Sequence, residues 1–290
     1  MPTLGRSIIG LLVGSMVAAA CSSAAGSPSP QPTPPDGASF LLRVTTVQAL
    51  PPDSTFSWTP QLVITLDGRA LQGGAVPAIF PGPLLQPITA RQLSPNGWAQ
   101  VVAAVRAAGL LTGASDFTGG SAAPGSPLVR LQIVADGRVY DMTGPELAPV
   151  QCVTTPCAPA PGTPEAFSGI IGALRDPEII VGPSELGPSV PFVPDGYAVL
   201  VGLAPDDQGL PQPPIAWPLA AGFAGFGKPL ADGSGGRCGV LTGDDATALA
   251  ALFNGATQIT KWRDPVDASF HGLTVRALLP GDGDPCAGLV

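Results

Sequence analysis

The fold is decided by the stretch Leu128-Val-Arg-Leu-Gln-Ile-Val-Ala-Asp-Gly-Arg-Val-Tyr-Asp-Met142. Its apolar side chains alternate at Val129, Leu131 and Ile133, and a period of two places them on one face of a strand. The pair Asp136-Gly137 then separates two strand-like runs, which is a strong signal for a tight hairpin. The sequence therefore predicts an antiparallel hairpin with one buried face.

Further strands are predicted on both sides of this hairpin, at residues 40–48, 61–66, 197–203, 237–241 and 272–279. Three helices are predicted from their caps, at Ser94, Thr163 and Thr242, because apolar residues follow each cap at helical spacing. Thr242 and Asp245 also have the spacing of a capping box. The expected fold class is α+β, with antiparallel sheets, about three packed helices and many loops.

The composition allows a large core, since 45% of the residues are hydrophobic and only 12% are charged. Residues 183–195 contain four prolines and little periodicity, which is typical of a linker. We therefore expect two similar-sized α+β subdomains, residues 39–182 and 196–290, on either side of this linker.

The N-terminus has the features of an export signal. Arg6 precedes the apolar residues 8–17, and the small residues 18–20 lead to Cys21. The stretch Val17-Ala-Ala-Ala-Cys21 resembles a bacterial lipobox, which implies cleavage before Cys21 and a diacylglyceryl group on that cysteine. Residues 21–38 are rich in Ser and Pro and contain no large apolar side chain, so we expect them to form an extended tether. The predicted location is the extracytoplasmic face of the cell membrane.

The net charge is −8 at pH 7, and removal of Arg6 with the signal peptide makes the mature chain one unit more negative. An acidic chain does not suit nucleic acid, which is bound chiefly through basic patches. It does not suit electrostatic docking on anionic lipid either. We therefore expect the lipid on Cys21 to attach the protein to the membrane and a protein of the cell envelope to be its partner, and we expect no nucleic acid.

Four cysteines remain after Cys21, and an even number in an exported protein is typical of disulfides. We pair Cys152 with Cys157, across a short turn, and Cys238 with Cys286, which would fasten the C-terminal tail to an internal strand. A metal site is the alternative, but a Cys-x4-Cys spacing and a single histidine do not make a zinc site. No metal and no cofactor are predicted.

Residues able to carry out catalysis are scattered. His271 is the one histidine, and no Gly-x-Ser-x-Gly motif supplies a serine for it. Carboxylates such as Glu146 and Glu185 could serve a hydrolase, but many aspartates stand in Asp-Gly or Pro-Asp turns. We assign no catalytic residue. Among the four tryptophans, Trp98 is expected in the core, and Trp217, in a proline-rich loop, is the candidate for an exposed binding surface.

Residues 40–176 also carry a family resemblance, in Leu62-Val-Ile-Thr-Leu-Asp-Gly-Arg69, Val105-Arg-Ala-Ala-Gly-Leu-Leu111 and Val129-Arg-Leu-Gln-Ile-Val-Ala-Asp-Gly-Arg-Val-Tyr140. This order is similar to a small sheet domain of uncharacterised actinobacterial-type lipoproteins. It distantly resembles the emfourin-type inhibitors of thermolysin-like metalloproteases. The Gly-Gly-Phe opening of those inhibitors is replaced here by Val44-Thr-Thr-Val47, and no inhibitory residue carries over.

Three functions are compatible with these features. The leading hypothesis is a non-catalytic lipoprotein of the cell envelope that binds a partner. If the protein is an inhibitor, that partner is a metalloprotease. The alternatives are an envelope hydrolase that uses Asp and Glu carboxylates, and a structural protein associated with the wall. A pocket with converging carboxylates would favour the hydrolase, and a protruding, fixed loop would favour the inhibitor.

Overall fold

The structure, a computed structural model, describes residues 34–47, 50, 52–119, 126–147, 159–207 and 209–290. The predicted signal peptide, Cys21 and the proposed pair of Cys152 with Cys157 lie outside these residues. The fold class is α+β, as predicted, with two sheets and three helices of 11 or 13 residues. Within the described ranges, every helix is too short or too polar to span a bilayer.

The elements follow the chain in this order: β1 (Leu42–Val47), α1 (Pro52–Thr55), β2 (Leu62–Ile64), β3 (Arg69–Gly73), β4 (Ile88–Gln92), α2 (Pro95–Ala107), β5 (Leu128–Ala135), β6 (Arg138–Pro145), α3 (Pro164–Leu174), α4 (Glu178–Val181), β7 (Val190–Pro191), β8 (Gly196–Leu203), β9 (Ile215–Ala216), β10 (Lys228–Pro229), β11 (Arg237–Thr242), α5 (Gly243–Gly255), β12 (Trp262–Arg263) and β13 (Phe270–Ala277).

The first sheet has the strand order β6-β5-β1-β2-β3-β4-β7, and all its neighbours are antiparallel. Its outer hairpin is the one predicted from the sequence: β5 and β6 meet across Asp136-Gly137, and both turn residues have positive φ. Val129, Leu131 and Ile133 are fully buried, as their alternation predicts. Helices α2 and α3 cover this face of the sheet and share its core.

The caps of α2 and α3 form as predicted. The Ser94 hydroxyl accepts the N–H of Gly97 at 2.9 Å, and the Thr163 hydroxyl accepts the N–H of Ala166 at 3.2 Å. Each bond satisfies one of the N–H groups that an α-helix leaves unpaired at its start. The polar caps therefore fix where both covering helices begin.

The capping box predicted for α5 is wrong, although the helix is present. Thr242 makes no side-chain cap bond, because it is still the last residue of β11 and pairs with Gly196 of β8. Gly243 has φ +59°, a left-handed conformation that glycine adopts readily, and it turns the chain from strand to helix. Because Thr242 is held in the strand, it does not form the reciprocal side-chain hydrogen bonds with Asp245 that a capping box requires.

The second sheet has the order β10-β11-β8-β13-β12-β9 and is antiparallel except where β9 runs parallel to β12. Helix α5 packs on one face through Leu249 and Phe253. On the other face, the predicted disulfide between Cys238 and Cys286 is confirmed, with the two Cα atoms 5.7 Å apart. The C-terminal tail is therefore fastened to β11.

The two sheets are joined by a third apolar cluster. Val63, Leu71 and Ile88 of the first sheet pack against Ala277 and Leu279 at the end of β13. The first sheet is thus covered on one face by helices and on the other by the second half of the chain. Burial on both faces explains why its central strands carry apolar residues at successive positions.

Residues 183–195, predicted as a linker, are joined to the first sheet. Strand β7 pairs with β4, and the carbonyl of Glu185 accepts the N–H of Ser94 at 2.9 Å. Pro191 is tolerated in β7 because β7 is an edge strand, where the missing N–H of a proline can face away from the neighbouring strand. Of the four prolines that predicted a linker, Pro191 belongs to an edge strand and Pro183 begins a short 3-10 turn, and the proposed division into 39–182 and 196–290 stays a prediction.

Candidate functional site

The segment between β3 and β4 carries a run of exposed apolar side chains. Residues 74–87 read Gly-Ala-Val-Pro-Ala-Ile-Phe-Pro-Gly-Pro-Leu-Leu-Gln-Pro, without one charged residue. The exposed fractions are 47% for Val76, 68% for Ile79 and 55% for Phe80. Single exposed apolar residues are ordinary, but a contiguous group indicates a contact surface. We call residues 75–80 the apolar loop.

Both ends of the apolar loop are held. At its base, the N–H of Gly74 donates to the carbonyl of Pro87 at 2.8 Å. Its C-terminal side crosses to the second half of the chain, where the N–H of Gln258 donates to Gly82 at 3.0 Å and the N–H of Leu84 donates to Ala256 at 3.0 Å. The side chain of Leu84 is buried in the core of the second sheet. The loop is therefore an exposed segment fixed on two sheets.

An apolar groove begins at the base of the loop. It has a volume of about 300 Å³ and is lined by Pro87, Phe192, Val193, Tyr197 and Asn254, among others. Burial raises the pKa of Tyr197, so its phenol stays neutral at physiological pH. Because Pro87 belongs both to the base of the loop and to the groove, the two features form one continuous apolar surface.

A second depression, which we call the polar cleft, lies where the two sheets meet. Its volume is about 430 Å³, and it touches the apolar groove through Gln86. At its floor, Asp282 accepts hydrogen bonds from Arg43 Nη2 at 2.5 Å and from Arg276 Nη1 at 2.8 Å. All three side chains are nearly buried, with exposed fractions of 5% for Asp282, 10% for Arg43 and 13% for Arg276.

Trp217, predicted as an exposed contact, is buried, so that prediction is wrong. It is 2% exposed and packs against Phe223, Phe226 and Trp262. The proline-rich loop hides a strand: β9 runs parallel to β12, and the N–H of Trp217 donates to Arg263 at 2.9 Å. This pairing directs the indole into the core of the second sheet.

Trp58 is the tryptophan that the structure exposes, with 38% of its surface accessible, and it lines the polar cleft. It lies between α1 and β2, flanked by Ser57 and Thr59. In the sequence, its polar neighbours and the absence of apolar residues at helical or strand spacing indicate that Trp58 is exposed. Trp98 is in the core, as predicted.

His271 sits in a local turn that does not match a catalytic triad. The Ser269 hydroxyl donates to Asp267 Oδ1 at 2.6 Å and lies 2.9 Å from His271 Nε2. The serine therefore stands between the acid and the histidine, whereas a triad needs the histidine between the acid and the serine. Hydrogen bonds from Ser269 lower the pKa of Asp267. The arrangement stabilises the turn that leads into β13.

Many carboxylates bind nearby backbone or arginine groups. Asp116, Asp232, Asp264, Asp267 and Asp284 each accept the backbone N–H of the residue two positions ahead. This is the turn-forming role expected of aspartate. Glu146 pairs with Arg175, and Glu178 pairs with Arg91. Groups of three or more His, Cys, Asp or Glu side chains suited to a metal are absent from the described parts of the chain.

Sequence reasoning did not identify the apolar loop or the polar cleft. For the loop a signal existed: the four prolines within residues 74–87 exclude a regular element, so Val76, Ile79 and Phe80 have no helix or strand face of their own on which to be buried. For the cleft no signal existed, because Arg43 and Asp282 are 239 positions apart. Comparison with known proteins gives no match of this chain to a family model, a curated protein or a solved structure.

Proposed function

We propose that this protein is a non-catalytic binding lipoprotein of the cell envelope and that the apolar loop is the part that docks on its partner. The observation that carries the proposal is the loop itself, which exposes Val76, Ile79 and Phe80 while both its ends are held. A fixed loop loses little conformational entropy when it binds, so more of its contact energy remains as affinity.

The exposed side chains are large enough to matter for affinity. Burying a whole Ile or Phe side chain is worth about 1.5–3 kcal/mol. Scaled to the exposed fractions of Ile79 and Phe80, 68% and 55%, the two side chains together supply about 3 kcal/mol. This corresponds to a change of roughly a hundredfold in a dissociation constant. Burial of Ile79 and Phe80 on a partner is therefore enough to decide whether a complex forms.

The partner that we propose is a thermolysin-like metalloprotease, inhibited by the loop. Two arguments support it. The first is the distant resemblance of residues 40–176 to inhibitors of that class, although the residues that carry it lie on either side of the loop and not in it. The second is the chemistry of the loop, since an uncharged segment that exposes Ile79 and Phe80 fits a protease cleft that accepts large apolar side chains. Two carboxylates, Asp282 and Asp284, line the polar cleft, but Asp282 is paired with both Arg43 and Arg276, so the cleft does not offer the two free acids that a hydrolase would use.

The test is inhibition by the intact mature lipoprotein in detergent. A thermolysin-like protease is mixed with a stoichiometric excess of the protein, and the cleavage rate of a peptide substrate is followed. We expect the rate to fall and the lipoprotein to stay intact. An unchanged rate would end the inhibitor proposal, and so would rapid cleavage of the loop between residues 75 and 80, because the protein would then be a substrate.

The membrane attachment is a separate part of the proposal. We propose that the lipid on Cys21 holds the protein at the extracytoplasmic face and that residues 21–38 keep the loop away from the bilayer. Replacement of Cys21 by Ser should release the protein into the medium. A Cys21→Ser variant that stays in the membrane fraction would show that another element, such as the apolar loop, makes the attachment.

A further inference from the structure

The polar cleft contains hydrogen-bonding groups that the fold does not use. Within the described chain, the side chains of Thr45, Thr59, Gln86 and Trp58 have no hydrogen-bond partner in the protein, and all four line the cleft. These side chains are half-exposed or exposed, so water satisfies them in the free protein, and a polar ligand can take the place of that water. The cleft therefore has the capacity to bind a polar molecule.

The charged groups beneath these side chains are only partly used. Asp282 accepts three hydrogen bonds, from Arg43, Arg276 and the N–H of Leu279 at 2.9 Å, so its capacity is largely taken by the protein. The Arg276 guanidinium has five N–H donors and gives one hydrogen bond within the described chain. Asp284 also lines the cleft, and only its Oδ1 has a partner. Donors and acceptors both remain available.

The balance of these groups selects the kind of ligand. The formal charges of the lining residues Arg43, Arg276, Asp282 and Asp284 sum to zero, so the cleft does not favour an anion, and Asp284 would repel one. A hydroxyl group is both a donor and an acceptor, and a ligand rich in hydroxyls can use Arg276, Gln86 and Asp284 together. The half-exposed indole of Trp58 offers a flat apolar face beside them.

We propose that the polar cleft binds a neutral saccharide, with one face of a sugar ring on Trp58 and its hydroxyls on Gln86, Thr59, Asp284 and Arg276. The volume of about 430 Å³ lies within the range of small-molecule sites. The proposal does not depend on the apolar loop or on protease inhibition. In the cell envelope, the polar cleft would give the protein a second binding site, for a glycan.

Trp58 provides the measurement. The other three tryptophans are at most 5% exposed, so an aqueous quencher such as iodide reaches chiefly Trp58. The intact lipoprotein in detergent is titrated with glucose, galactose, mannose, arabinose, N-acetylglucosamine and their disaccharides, and iodide quenching is recorded at each concentration. Sodium acetate and inorganic phosphate are titrated in parallel. We expect at least one sugar to protect the fluorescence with a saturating curve, and the two anions to have no effect.

Variants then locate the site. Gln86→Ala should weaken sugar binding about tenfold, as expected for the loss of a hydrogen bond, while the control Gln100→Ala, on helix α2, should bind like the wild type. Calorimetry with Trp58→Ala should show no binding while the far-ultraviolet spectrum stays native. The proposal is overturned if no sugar gives saturation, if acetate or phosphate protects Trp58 instead, or if Gln86→Ala binds the sugar unchanged.

Discussion

Removal of the Asp282 carboxylate should destabilise the whole protein, because that carboxylate connects the two sheets. It pairs with Arg43 of β1 in the first sheet and Arg276 of β13 in the second. Arg43 also donates to the carbonyl of Pro280 at 2.8 Å, close to Asp282 in the chain. In Asp282→Ala both guanidinium groups stay nearly buried and lose their shared counter-charge.

The size of the effect follows from burial. Removal of one partner from a buried ion pair costs about 3–5 kcal/mol, because a charge is left without compensation. A typical domain is stable by only about 5–15 kcal/mol, so Asp282→Ala should lose a large part of the free energy of unfolding. With a urea m-value of about 3 kcal/mol/M, the midpoint of unfolding should fall by about 1–1.7 M.

The control is Asp136→Asn, which removes the charge but keeps a residue that tolerates the positive φ of this turn position. Asp136 also pairs with an arginine, Arg106, at 2.8 Å, but the two side chains are 57% and 52% exposed. An exposed pair is worth about 0–1 kcal/mol, so this variant should lie close to the wild type in the same urea titration. If Asp282→Ala loses no more stability than Asp136→Asn, the buried Arg43 and Arg276 do not need the Asp282 carboxylate, and the reasoning is wrong.

Two further predictions concern stability. Replacement of Cys238 and Cys286 by Ala should cost about 4 kcal/mol of unfolding free energy, because the disulfide closes a loop with a sequence separation of 48; a loss below about 1 kcal/mol in urea titration would contradict this. The hydrogen bonds from Ser94 and then Asn96 hold the pKa of Glu185 below its ordinary value of 4.5. A lowered folded-state pKa adds stability that is present above about pH 4.5 and is lost as the pH falls through the folded-state pKa. Glu185→Gln should therefore lower the Tm at pH 7 and have little effect on the Tm in acid. An equal decrease in Tm at both pH values would contradict this prediction.

Local patterns in the sequence predict most of the regular elements. The alternation around Leu131 and the pair Asp136-Gly137 determine a hairpin within fifteen residues, and Ser94 determines the start of a helix with one hydrogen bond. Such features depend on neighbours in the chain, and a single sequence displays them. The disulfide of Cys238 was predictable for another reason, since few pairings of four cysteines exist.

The sites were less predictable because they depend on contacts between distant residues. The sequence predicts Trp217 at the surface because a two-residue strand such as β9 has no periodic pattern, and the parallel partner of β9, β12, is far away in the chain. The polar cleft requires β1 and the residues after β13 to meet, and no local rule predicts that. The apolar loop is the exception, because its composition alone marks it as an uncharged segment without a regular element.

The most direct test of the proposed function compares two substitutions of one kind on the exposed surface. Ile79 in the apolar loop and Val266 in the loop before β13 are 68% and 72% exposed, and each is replaced by Asp. The inhibition constant for a thermolysin-like protease is measured for both variants and for the wild type. We predict an increase of at least tenfold for Ile79→Asp and none for Val266→Asp, because only Ile79 is buried on the partner. Equal constants for the three proteins would contradict the assignment of the apolar loop as the binding element.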